Sequence, residues 1–349
     1  MTSRVTSSYR RRQVTARVRT STSSSKTDPA LLHPRHWPSW LGIGVIFALG
    51  RLPFPLIWAL GGVLGRLSYL LAGSRRVVAR RNLQCCLSHL GGWERERIMI
   101  AHFGWLGVAA LAQGVGWGAS RERLSRLVRI RNREIIDACI AEGRPIIVLV
   151  PHFIGLELGG AAFTALVHSG IYMYQKIRNP VVDHQIRRAR QQYGSLSVER
   201  QDDLRGLIRE MKQGTPFFYL PDQDGGRRGI FVPFCGVPTS TVPMLGRFAS
   251  MAGAVVIPTF ARFLPWGRGL ELIFDPVLAD FPSGDAERDT ARMNAVIEAR
   301  IASMPEQYFW VHRRFKTRPP GEPPIYPPKR RRRKRAKPEM GAQEGGRSA

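Results

Sequence analysis

A chain of 349 residues with 44% hydrophobic content has enough apolar mass for one large core or two modest ones, which excludes an intrinsically disordered whole. Its formal net charge is +27: residues 1–36 hold eight basic groups against Asp28, residues 329–349 hold nine against two glutamates, and +13 is left between them. A globular part that is basic in its own right calls for anionic partners, whether nucleic acid, acidic lipid headgroups or a small acidic protein.

Residues 1–36 are Ser, Thr and Arg with almost no apolar pattern, so they read as a disordered basic arm without the apolar stretch of a signal peptide. The composition changes at Trp37. From there to Gly73, Trp37, Trp40, Trp58 and Tyr69 flank apolar runs broken by Arg51 and Arg66. The runs Pro38–Gly50 and Leu52–Gly65 are 13 and 14 residues long. A bilayer span needs about 20. Three arrangements fit: one span that tolerates Arg51, interfacial helices bent at Pro53 and Pro55, or a buried helical hairpin. The aromatic flanks and the preceding arginines favour membrane contact.

From Arg75 to Glu142 the apolar spacing is helical, as in Leu124, Leu127 and Val128, then Ile135, Ile136 and Ile140. Glu142-Gly143-Arg144-Pro145 stops that pattern, and the strand Ile146–Val150 follows. Thereafter helices are expected over 156–168, 180–193, 202–212, 241–252 and 285–303. Strands are expected over 171–175, 216–220, 254–260 and 269–274, with a short one near 308–312. Strands alternating with helices predict a mixed α/β sandwich, its largely parallel sheet flanked by helices. The chain is expected to divide into a disordered basic arm over 1–36, a membrane-associated apolar segment over 37–73, an α/β domain over 74–321 and a Pro-rich, basic, disordered tail over 322–349. The cysteines, Cys85, Cys86, Cys139 and Cys235, form no CxxC pair and no zinc spacing. They read as reduced structural thiols on the cytosolic side of a membrane.

The strand Ile146–Val150 runs through Pro151 into His152, with Glu157 five positions on. Open α/β sheets bind ligands beyond the carboxyl ends of their strands, where His152 falls. With His152 in the loop and Glu157 in the first helical turn, the carboxylate can fix one imidazole nitrogen. The other is then free to act as a general base. The bland alternative is a histidine capping the sheet and a glutamate favouring a helix N-terminus. Asp222 and Asp224, in Pro221-Asp222-Gln223-Asp224-Gly225-Gly226 after another strand, either close a turn or supply polar groups to the same end. The oxygen ligands of a calcium loop are absent. Asn179-Pro180 opens a helix whose Arg187, Arg188 and Arg190 either form a solvated face or reach an anionic group. Tyr308 to Pro319, including Arg313, interleaves aromatic and basic residues in one segment.

Taken in order, His152 to Glu157, Asn179 to Arg190, Pro221 to Gly226 with Phe231 to Gly236, and Gln307 to Pro319 resemble the bacterial lipid A late acyltransferases. These are the lauroyl and myristoyl transferase group of the lysophospholipid acyltransferase superfamily. The resemblance runs from about Trp40 to Gly321. His-x4-Glu alone is weak, but four motifs in order behind an apolar segment are specific. The resemblance implies transfer of an acyl chain from acyl carrier protein, or coenzyme A, to a 3-hydroxyacyl chain of a lipid A precursor. The place is the cytoplasmic face of the anionic inner membrane. It makes His152 the general base and Glu157 its partner. Arg190, Asp222, Asp224 and Arg313 are expected to bind substrate or an oxyanion, with no cofactor, metal or specific nucleic acid. No G-x-S-x-G motif appears, so direct transfer without an acyl-enzyme is expected. Two rivals remain: a superfamily acyltransferase with another glycolipid or aminolipid acceptor, and a basic nucleic-acid-binding protein with steep salt dependence.

Overall fold

The run Ile146–Leu149 is fully buried on both faces, as a central strand of a covered parallel sheet must be. A computed structural model describes residues 28–199 and 204–328. In chain order its helices and strands are α1 (Trp37–Gly50), α2 (Phe54–Leu71), α3 (Gly73–Cys86), α4 (Gly92–Gly118), α5 (Arg121–Leu127), β1 (Val128–Arg131), α6 (Arg133–Ala141), β2 (Ile146–Leu149) and α7 (Leu156–Leu166). There follow β3 (Ile171–Tyr174), α8 (Pro180–Gln191), β4 (Leu196–Glu199), α9 (Leu204–Lys212), β5 (Phe217–Tyr219), β6 (Ile230–Phe234) and β7 (Val237–Thr241). The domain closes with α10 (Leu245–Ala252), β8 (Val255–Phe263), β9 (Leu270–Phe274) and α11 (Ala286–Ser303).

Seven strands form one sheet in the order β1-β9-β8-β2-β5-β3-β4, parallel throughout except between β8 and β9. The expected mixed, largely parallel α/β sandwich is therefore what the chain builds. Side chains of β2 divide between its faces. Ile147 and Leu149 join the core under α9, α10 and α11, while Ile146 and Val148 join the core under α6 and α7. Burying each such side chain contributes about 1.5–3 kcal/mol, enough to hold β2 in the sheet's centre.

Several expectations are corrected. The edge strands β1 and β4 were not foreseen, because each is four residues long and carries charge, as exposed edges do. The hairpin β6–β7 was also missed. Cys235 and Gly236 at its turn both take positive φ, 51° and 73°, which suits a tight two-residue connection. The strand expected near 308–312 is a single antiparallel bridge between Tyr308 and Phe153. Part of the basic arm is ordered: residues 29–36 make two short 3₁₀ turns, and Trp40 Nε1 donates to Leu31 O at 2.8 Å. The rest of the arm and the basic run from Lys329 lie outside the described residues.

The apolar segment is two helices broken at Arg51–Pro53, and both pack on α4. Close approach needs glycines here. A Cβ on Gly65 would lie 2.1 Å from Phe103 O, one on Gly107 2.0 Å from Gly61 O, and one on Gly114 2.0 Å from Ile46 O. Gly61-x-x-x-Gly65 is the small-residue spacing that lets two helix backbones touch. By length and composition, α2 and α4 are each apolar enough to cross a membrane. The outer faces of α1 and α2 expose Trp37, Leu41, Leu56, Leu60, Leu64, Leu67 and Leu71. The inner end of the bundle meets α7, which follows the histidine loop.

Candidate active site

Beyond β2 the chain turns through Pro151, and two backbone bonds pin the loop to the C-terminal segment. Phe309 N donates to His152 O at 2.9 Å, and Ile154 N to Gln307 O at 2.8 Å. The neighbouring parallel strand β5 ends beside it and delivers Asp222, 2% exposed, to the same point. One carboxylate oxygen accepts the His152 backbone N–H at 2.8 Å, and the other lies 2.6 Å from Nδ1. A carboxylate only accepts, so Nδ1 carries the proton and Nε2 presents a lone pair. That lone pair lies 3.1 Å from Gln223 Nε2, whose amide N–H donates to it.

Burial disfavours the His152 imidazolium, yet the charge and hydrogen bond of Asp222 outweigh it and raise the pKa; Glu157 adds to the rise and Arg190 opposes it. Burial likewise pushes the Asp222 carboxyl up, but His152 and then Arg314 bring it below the usual carboxylate value. Burial lowers the His312 pKa, and the charge of His152 lowers it further, so this second imidazole stays neutral. Tyr308, buried against Asp222, has its phenol pKa pushed well up, first by burial and then by that carboxylate.

Glu157 stands in the first turn of α7, as expected, but it does not hydrogen-bond His152. Its carboxylate pairs with Arg190 of α8, whose guanidinium also lies 5.2 Å from the Tyr172 ring. The reason is competition by position. Asp222 reaches Nδ1 straight off the adjacent strand, while the turn of α7 aims residue 157 across at α8. Asp224 is turned elsewhere too, accepting from Thr317 N at 2.9 Å and Thr317 Oγ1 at 3.0 Å. Arg313 lies over the Tyr326 ring at 5.5 Å.

Sequence reasoning passed over Arg314, which is 2% exposed. It donates to Gln223 O at 3.1 Å, Ser240 O at 2.8 Å and Thr241 Oγ1 at 2.6 Å, tying the Asp222 loop to the β6–β7 hairpin. Asn82 of α3 was passed over as well. Its amide donates to Trp310 O at 2.6 Å and His312 O at 2.7 Å, clamping the C-terminal segment. Arg314 lies in the Gln307 to Pro319 motif, where its neighbour Arg313 was singled out instead, and Asn82 belongs to no motif.

Next to the histidine an apolar cavity opens between α7, α8 and the sheet. Val150, Leu156, Phe163 and Phe218 line it, with Glu157 and Arg190 as its charged pair. The arrangement therefore combines a histidine of fixed tautomer, a held guanidinium and an apolar cavity.

Comparison with known proteins decides the family. The model of the bacterial lipid A biosynthesis acyltransferases matches residues 24–317. This chain belongs to that family. The lipid A biosynthesis lauroyltransferase of Escherichia coli K12 is 36% identical over 307 residues, covering 87% of this chain and all of the relative. The palmitoleoyltransferase of the same organism is 32% identical, covering 84% of this chain and 96% of the relative. Its myristoyltransferase is 29% identical, covering 87% and 94%. A solved lysophosphatidic acid acyltransferase from Thermotoga maritima aligns at a TM-score of 0.34 with 18% identity, over 70% of this chain and 96% of its own, too slight a likeness to carry an argument. A lipid A acyltransferase is an acyl-transfer enzyme.

Proposed function

We propose that this chain moves a fatty acyl group from an acyl carrier protein thioester, or a coenzyme A thioester, to the 3-hydroxyl of an acyl chain on a lipid A precursor. The reaction takes place at the cytoplasmic face of the inner membrane. The observation that carries the reading is the 2.6 Å contact of Asp222 with Nδ1, which fixes the proton there and leaves the Nε2 lone pair, met by the Gln223 amide, to take up a proton. Nε2 takes the hydroxyl proton as the oxygen attacks the thioester carbonyl and the C–O bond forms. Arg190, held by Glu157, faces the oxyanion. When the tetrahedral intermediate collapses the C–S bond breaks, and the imidazolium returns its proton to the departing thiolate. Glu157 is thus a positioning residue and Asp222 the orienter of the base. The acidic carrier, the phosphorylated acceptor and an anionic leaflet all suit a middle region of +13.

The test is transfer of a radiolabelled acyl chain by the purified full chain. His152→Ala should abolish turnover while acceptor binding stays close to wild type, and retained turnover would sink the assignment. Mass spectrometry of lipid A from a deletion strain separates acceptors. Loss of one secondary acyl chain supports this reading, and unchanged lipid A points to another glycolipid.

A further inference from the structure

Arg190 uses one face of α8. Gln185, Arg188 and Gln192 stand at i, i+3 and i+7 and use another. There they line a second cavity of about 480 Å³, whose opposite wall is Trp40, Ile43, Gly44 and Phe47 of α1. At one end of this groove Asn179 Nδ2 donates to Ser39 Oγ at 2.9 Å, and Trp40 sits edge-on to His184 at 6.4 Å. At the other, Phe47 tilts against Trp117 at 5.9 Å, and Gln192 Nε2 donates to Gly116 O at 2.8 Å. Between these ties the helices part. Gly44 has no side chain to fill the gap, and a Cβ there would meet nothing within 4 Å.

The lining is amphiphilic. Aromatic and aliphatic groups of α1 face Arg188, which is exposed and has no ion pair among the described residues. Gln185 is 4% exposed and lines the groove beside it. An amide and a guanidinium without an ion pair on the same wall of the groove point to a polar, anionic ligand group. Trp117 lines both this groove and the cavity of Glu157 and Arg190, so the two spaces share one wall. The outer side of α1 exposes Trp37, Leu41 and Val45, so the groove opens beside an apolar helix surface.

We infer that this groove seats the phosphorylated headgroup of the acceptor glycolipid, with Arg188 on the phosphate, Gln185 on a neighbouring oxygen and the rings of α1 and Trp117 against its apolar part. The inference rests on the acceptor class proposed above. Charge complementarity selects an anion, the exposed face of α1 selects a lipid, and the wall shared with the Glu157–Arg190 cavity selects the acceptor over bulk phospholipid.

The test uses the full chain in zwitterionic nanodiscs without donor. The probes are an acylated disaccharide carrying its phosphates and the same molecule dephosphorylated, with binding read from tryptophan fluorescence. Wild type should bind the phosphorylated probe about tenfold tighter than the other, a margin typical of one charge-assisted contact. Arg188→Glu should erase that margin, Arg188→Lys should keep most of it, and Gly44→Trp should weaken both probes alike. Unchanged affinity in Arg188→Glu overturns the inference. So does equal displacement by phosphatidylglycerol, and so does a raised KM for the donor thioester in place of the acceptor. A wild type that binds the probe but transfers no acyl chain defeats the proposed reaction and leaves the groove standing. Transfer with an unaltered Arg188→Glu affinity does the reverse.

Discussion

At His152 the decisive contact is made by a residue seventy positions away. Asp222 both orients the ring and raises its pKa, so the neutral imidazole, the proposed base form, grows only as pH climbs above the ordinary histidine value. Asp222→Asn removes the charge and one of the two acceptor oxygens. The ascending limb of the kcat/KM profile should move to lower pH, and the plateau should fall by roughly 10²–10⁴. An unmoved limb would show that Asp222 does not set the base. Arg190→Lys keeps a charge but loses the planar fork that Glu157 holds. If Arg190 faces the oxyanion as proposed, kcat should drop about 10²–10³ with the pH profile in place. The first motif was legible because a histidine after a buried strand stands out. Its true partner was not, since no spacing along the chain reveals that β2 and β5 are neighbours. Glu157, close in sequence, was the natural but incorrect choice of hydrogen-bond partner.

Elements are decided by what they pack against. The central strands β2, β5 and β8 were legible from continuous apolar runs, while β1 and β4 were hidden by their charges and short length. Helices α2 and α4 cross through glycines, and that contact leaves no room for a methyl group. Gly107→Ala should lower stability by about 1–3 kcal/mol, read as a drop in the thermal midpoint. An unchanged midpoint would mean that the helices do not meet this closely. Gly160 of α7 is the contrary case. It lines the apolar cavity, and a Cβ there would meet nothing within 4 Å. Gly160→Leu should therefore fold normally and, if the cavity holds the donor's acyl chain, shift donor preference to shorter chains, each excluded methylene costing about 0.8 kcal/mol. A panel of acyl donors of graded length gives the readout.

For the whole molecule, charge and apolar surface act at different places. The leucines of α1 and α2 form an exposed face that water does not favour, and the basic middle region adds attraction to anionic lipid. If that face meets the membrane as proposed, the double substitution Leu64→Glu and Leu67→Glu should cut binding to anionic vesicles at least about tenfold. The thermal midpoint should hold, because both side chains are already exposed in the fold. Equal co-sedimentation of variant and wild type would place the membrane contact elsewhere.

By itself the sequence determined the layered α/β class, the strand that ends in His152 and the apolar character of the N-terminal segment. Each of these follows from a pattern local to one stretch of chain. The tertiary structure alone decided that Asp222 rather than Glu157 holds the histidine, that Glu157 holds Arg190, and that Arg314 and Asn82 brace the site. It also decided that α1 stands off α8 to leave a groove. These contacts join segments tens to hundreds of residues apart, and such pairings are set by the order of strands and the packing of helices, which local periodicity does not encode.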